Sequence, residues 1–126
     1  MHFLGPLYGS ERFHYLREAH IFCLPSFHPY GEGQPLSILE AYAAGCLVIT
    51  TDIGGIPDIF KDGANGFFVQ RRSVEDLRRT IREILNSPRK ELLKIALYNA
   101  EYAKREFTKK RFEKDIKACF EKVIQE

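Results

Sequence analysis

The sequence is short of charge of either sign in excess. Its 19 Lys and Arg stand against 17 Asp and Glu, a net charge of +2 that supports neither a nucleic-acid partner nor a membrane surface on electrostatic grounds. The locally basic stretch Lys104–Phe112 is interleaved and followed by Glu106, Glu113 and Asp115, the pattern of a solvated helix face. No apolar run approaches the length of a spanning helix, and the opening "MHFLGPLYGS" reads as a strand and turn and not as a secretory signal. Cysteine is scarce. Cys23, Cys46 and Cys119 are far apart without redox or metal-ligand spacing, and Cys23 and Cys46 lie in apolar runs, so reduced buried thiols in a cytoplasmic protein are expected. Of the four histidines only His28 falls in a polar loop, and no metal site is expected. There is no internal repeat, linker or low-complexity segment. What is present, 44% hydrophobic and 29% charged residues in 126, is the composition of one globular domain at most.

Strand and helix patterns alternate along the first half. "HFLGPL" predicts a short strand; "SERFHYLREAH" predicts a helix with Ser10 as N-cap and Phe13 and Leu16 at helical spacing. "IFCLPS" (21–26) is an apolar run of strand length closed by proline. The loop "FHPYGEGQ" leads to a helix from Pro35, with proline at a first helical position, that ends at Gly45 as the C′ residue. "CLVITT" (46–51) is β-branched and apolar without alternation, which predicts a strand covered on both faces, as in a parallel sheet. "DIGGIPDIF" predicts a glycine turn and one short helix, "DGANGFFV" a turn and a last strand over 66–69. Three amphipathic helices follow, the first opened by a Ser73/Asp76 capping pattern with Val74, Leu77, Ile81, Ile84 and Leu85 on one face.

The expected fold is therefore α/β: part of a Rossmann-like domain with a small parallel sheet, helices on both faces and a helical C-terminal tail. Residues 1–70 would carry the sheet and the site, 71–126 the helices. With about four short strands and one unfinished sheet edge, the chain reads as a single partial domain, the later half of a larger one.

Chemistry concentrates in "GEGQPLSILEAYAAG" (31–45), an almost wholly apolar helix with one internal charge, Glu40, and a second acid, Glu32, on the glycine-flanked loop before it. A carboxylate withdrawn from water needs a partner: a basic side chain, backbone amides or ligand hydroxyls. Leu36, Ile38, Leu39 and Ala43 supply packing, while Ser37, Glu40 and Ala44 form a stripe that a ligand could approach. The loop's two glycines allow close approach of backbone, and the following helix N-terminus offers free N–H groups. After the carboxyl end of a parallel strand, this is where open α/β sheets take phosphate-bearing ligands. Glu40 would lie roughly 6–8 Å along the axis, a separation suited to a diphosphate at the helix start and a polyol at the acid. The structural alternative is a Glu40 paired with a base such as Arg71 or Lys61, and a solvated Glu32.

The stretch "PSFHPYGEGQPLSILEAYAAGCLVITTDIGGIPDIFKDGANGFFV" resembles the C-terminal signature of retaining glycosyltransferases of the family 4 type, which have the GT-B fold. Its parts are Pro25-Ser26 at a strand end, an E-x7-E pattern from Glu32 to Glu40, and "EAYAAG" from Glu40 to Gly45. The strand "LVITTD", the Gly54-Gly55 turn and "DGANG" complete it. The resemblance implies a donor site in which Glu32 lies beside the donor sugar near the reacting carbon. Gly33, Gln34, Pro35, Leu36 and Ser37 would meet the sugar and diphosphate through backbone amides, and Glu40 would take the ribose hydroxyls. It implies transfer with retention from a nucleotide-diphosphate sugar, with no metal and no cofactor beyond the donor itself, in polysaccharide or glycoconjugate biosynthesis. A saccharide or lipid-linked acceptor would be held by an N-terminal domain with no counterpart here, and the location would be cytoplasmic, peripheral to the inner face of the membrane at most.

Two departures bear on this. "EGQP" stands where many members have "EGFG", and the basic residues that the family sets against the diphosphate have no counterpart in the sequence. The chain alone is therefore expected to have no turnover. In the family the terminal helix packs across the other domain; without it, Phe107, Phe112, Phe120 and Val123 would be exposed and drive self-association. Two other readings are a non-enzymatic α/β regulatory or assembly module with a structurally paired Glu40, and a sugar-nucleotide epimerase, for which no catalytic set is found.

Overall fold

The computed structural model describes residues 1–28 and 31–125, with only the backbone of Gln125. Pro29 and Tyr30 of the predicted aromatic loop and Glu126 of the last predicted helix lie outside the described residues. The elements are α1 (Ser10–Glu18), β1 (Ile21–Leu24), α2 (Leu36–Ala43), β2 (Leu47–Thr50), α3 (Ile56–Ile59), β3 (Gly66–Phe68), α4 (Val74–Asn86), α5 (Arg89–Glu106) and α6 (Lys109–Gln125). The three strands form one parallel sheet in the order β1-β2-β3, with Phe22 opposite Val48 and Val48 opposite Gly66.

β2 is buried at all four positions, as its lack of alternation predicts, and two cores meet across it. Val48 points to one face, where Ile38, Ala41 and Tyr42 of α2, Ile56 and Ile59 of α3 and Ala103 of α5 close over it. Leu47 and Ile49 point to the other, against Ile84, Leu77 and Ile81 of α4 and Leu92 and Ile95 of α5. The sheet's flank is tied by a buried amide pair: Asn65 Nδ2 donates to Asn99 Oδ1 (2.8 Å), and Asn99 Nδ2 donates to the carbonyls of Cys46 and Asn65 (both 2.8 Å). Both side chains are almost wholly excluded from solvent, so this network holds α5 to the ends of α2 and the loop before β3.

Five local expectations are corrected. Residues 2–7 form no strand: no ladder is offered to them on the free edge of β1, and Phe3 is left 91% exposed. The sheet therefore has three strands among the described residues. Ser10 is the first helical residue and Gly9 the N-cap, with no side-chain cap bond, whereas Ser73 does cap α4 by accepting from the Asp76 N–H (3.1 Å). Pro35 is likewise the N-cap of α2, one position earlier than expected. Cys23 is exposed: it lies opposite Ile49 on the edge strand, where Ile21 but not Cys23 joins the core that covers that face. Val74 and Leu85 are also exposed, leaving Leu77, Ile81 and Ile84 as the packed stripe of α4. Gly45 does end α2, with the N–H of Gly45 on the Tyr42 carbonyl (2.9 Å) and that of Cys46 on the Ala41 carbonyl (2.9 Å), a Schellman arrangement.

Candidate functional site

The carboxyl ends of β1 and β2 are bound together before any ligand is considered. Thr50 Oγ1 donates to the Leu24 carbonyl (2.8 Å) and Thr51 Oγ1 to that of Ser26 (2.5 Å), so the loop leaving β1 is fixed to the loop leaving β2. Ser26 Oγ in turn donates to Glu32 Oε1 (2.5 Å), which orients the half-buried Glu32 carboxylate over the strand ends. The Gly54-Gly55 turn lies directly against the same loop. The Gly55 N–H donates to the Glu32 carbonyl (2.9 Å), and a Cβ at Gly54 would stand 1.9 Å from that oxygen. A Cβ at Gly55 would stand 2.7 Å from the Gly33 carbonyl oxygen. The paired glycines are thus what lets two loops share backbone contact at the Glu32 acid.

Downstream of this loop, Gln34 is exposed, Pro35 caps α2, and Leu36 and Ser37 form its first turn. The helix is not the buried rod its composition suggests. Ile38, Ala41 and Tyr42 are buried, but Leu36 is 72% exposed and Ala43 is exposed too. The approachable face is Leu36, Leu39, Glu40 and Ala43, in place of the expected stripe of Ser37, Glu40 and Ala44. These four line one wall of an open groove of about 430 Å³, and Ala103, Lys104, Phe107 and Thr108 line the other.

Glu40 faces this groove and is also paired. Arg12 Nη2 donates to its Oε1 at 2.7 Å, with the two side chains 47% and 25% exposed. The partner is therefore neither Arg71, which binds Asp52 (Nε to Oδ1, 3.1 Å), nor Lys61. Nothing in "SERFHYLRE" singles Arg12 out as a contact across 28 positions; the packing of α1 beside α2 decides it. The sequence also left unremarked Arg72, the one described non-glycine residue with positive φ (58°), whose guanidinium sits 5.1 Å from the centre of the Phe27 ring. That contact brings the loop before α4 beside the loop carrying Glu32. Among the described residues, no three His, Cys, Asp or Glu side chains come together to hold a metal ion.

Residues 1–105 match the family described as Glycosyl transferases group 1. The chain belongs to that family. Its fold is that of GT-B glycosyltransferase domains. An Anabaena protein solved with UDP superposes with a TM-score of 0.77 at 19% identity, over 86% of this chain and 29% of that one. A group 1 glycosyltransferase C-terminal domain from Francisella tularensis superposes with a TM-score of 0.70 at 26% identity, over 84% of this chain and 53% of that one. Among curated relatives, the D-inositol 3-phosphate glycosyltransferase of Streptomyces griseus is 33% identical over 84 residues, 66% of this chain. The glycogen synthase of Mycobacterium tuberculosis is 34% identical over 87 residues, 68% of this chain. This group 1 chain spans 17% of the first relative and 20% of the second, about a fifth of their length. No described helix of the group 1 chain is long and apolar enough to cross a membrane.

Proposed function

We propose that this chain binds a nucleotide-diphosphate sugar as the later half of the donor-binding domain of a retaining, family 4 type glycosyltransferase. The observation that carries the reading is Glu32, its carboxylate held by Ser26 and its backbone carbonyl by the Gly54-Gly55 turn, at the carboxyl end of a parallel sheet, one loop before a helix whose fifth residue is Glu40. In this reading Glu32 lies beside the reacting carbon of the donor sugar. The backbone from Gly33 to Ser37 meets sugar and diphosphate, the helix N-terminus favouring the anion. Glu40 accepts the ribose hydroxyls, for which it must release Arg12, a partly exposed pair of small net worth. Complexes of the Anabaena protein with UDP and with UDP-glucose support a nucleotide-sugar ligand for this fold. The acceptor is a saccharide or lipid-linked saccharide bound outside this chain, in the biosynthesis of a polysaccharide or glycoconjugate at the cytoplasmic side. Without the basic partners of the diphosphate the chain by itself binds weakly and does not turn over.

The Arg12–Glu40 ion pair is the specific observation that favours a second reading, a non-enzymatic α/β module in which Glu40 is structural. Ligand-observed NMR with UDP, GDP and ADP separates the two, using wild type, Glu40→Gln and Arg12→Ala. The donor-site reading expects one nucleotide to bind, binding to vanish in Glu40→Gln, and binding to persist or tighten in Arg12→Ala. Equal binding of a nucleotide by wild type and Glu40→Gln, with matched losses of stability in the two variants, supports the module and sinks the donor site, whereas absence of binding by all three at millimolar concentration passes the decision to a longer chain that carries the diphosphate's basic partners.

A further inference from the structure

Three parts of the chain reach the loop that carries Ser26 and Glu32. Thr51, just after β2, donates to the Ser26 carbonyl (2.5 Å), and Gly55 donates to the Glu32 carbonyl (2.9 Å). The third contact is the Arg72 guanidinium, 5.1 Å from the centre of the Phe27 ring, and it comes from the loop after β3. In the sheet order β1-β2-β3 that loop is not a neighbour of the one after β1. Two strand spacings, about 10 Å, separate the two, a distance that takes a long side chain to cover.

The backbone is shaped for this contact. Arg71 and Arg72 are consecutive, yet both reach back across the sheet. Arg71 donates from Nε to Asp52 Oδ1 (3.1 Å) and from Nη2 to the Asp52 carbonyl, just after β2, while Arg72 goes further, to Phe27. Successive side chains of an extended chain point to opposite sides, so both can reach the same way only if the chain turns between them. The turn is the φ of 58° at Arg72, in the left-handed region that glycine enters freely and arginine does not. Glycine would suit the turn and lose the contact; arginine keeps the contact against the preference of the turn. Phe27 has need of it. The ring is 54% exposed and belongs to neither core cluster, so the core does not fix the backbone beside Ser26.

We propose that Arg72 is a positioning residue for Glu32. Stacked on Phe27, it immobilises the residue next to Ser26, whose hydroxyl orients the Glu32 carboxylate (2.5 Å). The use made of Glu32 rests on the proposed donor site, but the loop can be probed without nucleotide, so either reading can fail alone. The probe is solvent exchange of the Gly55 amide, measured by NMR on the 126-residue chain. That N–H is held by the Glu32 carbonyl and lies in a turn distinct from both Arg72 and Phe27. The variants are Arg72→Gly, Phe27→Leu and the two together. Glycine suits the φ, so the first variant loses the side chain without adding strain.

Each single variant should speed Gly55 exchange about two- to fivefold, the worth of an exposed cation–π contact, and the double variant no further, because both remove one contact. The Val48 amide, bonded to the Asn65 carbonyl (3.1 Å) in the sheet, should exchange as in wild type. Unchanged Gly55 exchange in Arg72→Gly overturns the proposal, as do single effects that add in the double variant. Equal acceleration at Gly55 and Val48 overturns it too, since Arg72 would then support the fold at large and not the Glu32 loop.

Discussion

Replacing Gly54 by alanine tests whether the glycine turn builds the Glu32 loop. The new Cβ would stand 1.9 Å from the Glu32 carbonyl oxygen, where contacts under 3.0 Å essentially never occur, so one loop must retreat by more than an ångström. The obstacle is backbone, which no side-chain rotation relieves. Alanine at a φ of +57° costs about 1 kcal/mol by itself. A retreat of that size also breaks the 2.9 Å bond from the Gly55 N–H to Glu32, worth about 1 kcal/mol more, and leaves strain besides. Gly63→Ala supplies the control: its φ is +77°, yet a Cβ there meets nothing within 4 Å. Both variants stiffen the unfolded chain equally, so that effect cancels between them. Urea unfolding should therefore place Gly54→Ala about 1–2 kcal/mol below Gly63→Ala. Amide resonances of Glu32 and Gly33 should move in the first variant and stay in the second. If the two variants unfold together with those resonances unmoved, the shared-backbone account of the site is refuted.

Two further predictions concern the support of that site. Asn99→Ala leaves the Asn65 amide and the Cys46 carbonyl without their buried partner, and should cost about 2–6 kcal/mol in urea unfolding at about 1–3 kcal/mol per orphaned group; a loss below that of an exposed substitution such as Lys94→Ala would show the network to be idle. Tyr42 donates to the Ile59 carbonyl (3.2 Å), and burial foremost, then the neighbouring Tyr102 and Tyr98, pushes its hydroxyl above the ordinary tyrosine range. A raised folded-state pKa means that its contribution is complete below the unfolded value of about 10 and is lost as pH climbs beyond it. Urea midpoints measured from about pH 8 to about pH 11 should fall more steeply for wild type than for Tyr42→Phe, and equal slopes would remove Tyr42 from the cause.

The order of elements was legible where it rests on local chemistry. Ser73 caps α4, Gly45 closes α2, and the unalternating "LVIT" forecasts a strand covered on both faces, because caps, turns and periodicity act within a few residues. The acids Glu32 and Glu40 stood out for the same reason: isolated charge in an apolar, glycine-bordered stretch is visible in one dimension. Their partners were not. Ser26 on Glu32 and Arg12 on Glu40 depend on where the loop folds and on which helix lies beside α2. The strand expected at residues 2–7 failed because a strand exists only with a neighbour to complete its ladder, and none of the described residues supplies one.

By itself, then, the sequence determined that this is an α/β chain with a glycine-rich loop and a two-glutamate helix start, because those features follow from residue type at short range. Only the tertiary structure decided that α2 is half open, that Glu40 looks into a groove while holding Arg12, that Gly54 and Gly55 touch the Glu32 loop, and that α6 stands uncovered. Each of those depends on contacts between residues far apart in the chain, and burial is a property of neighbours that no single residue carries.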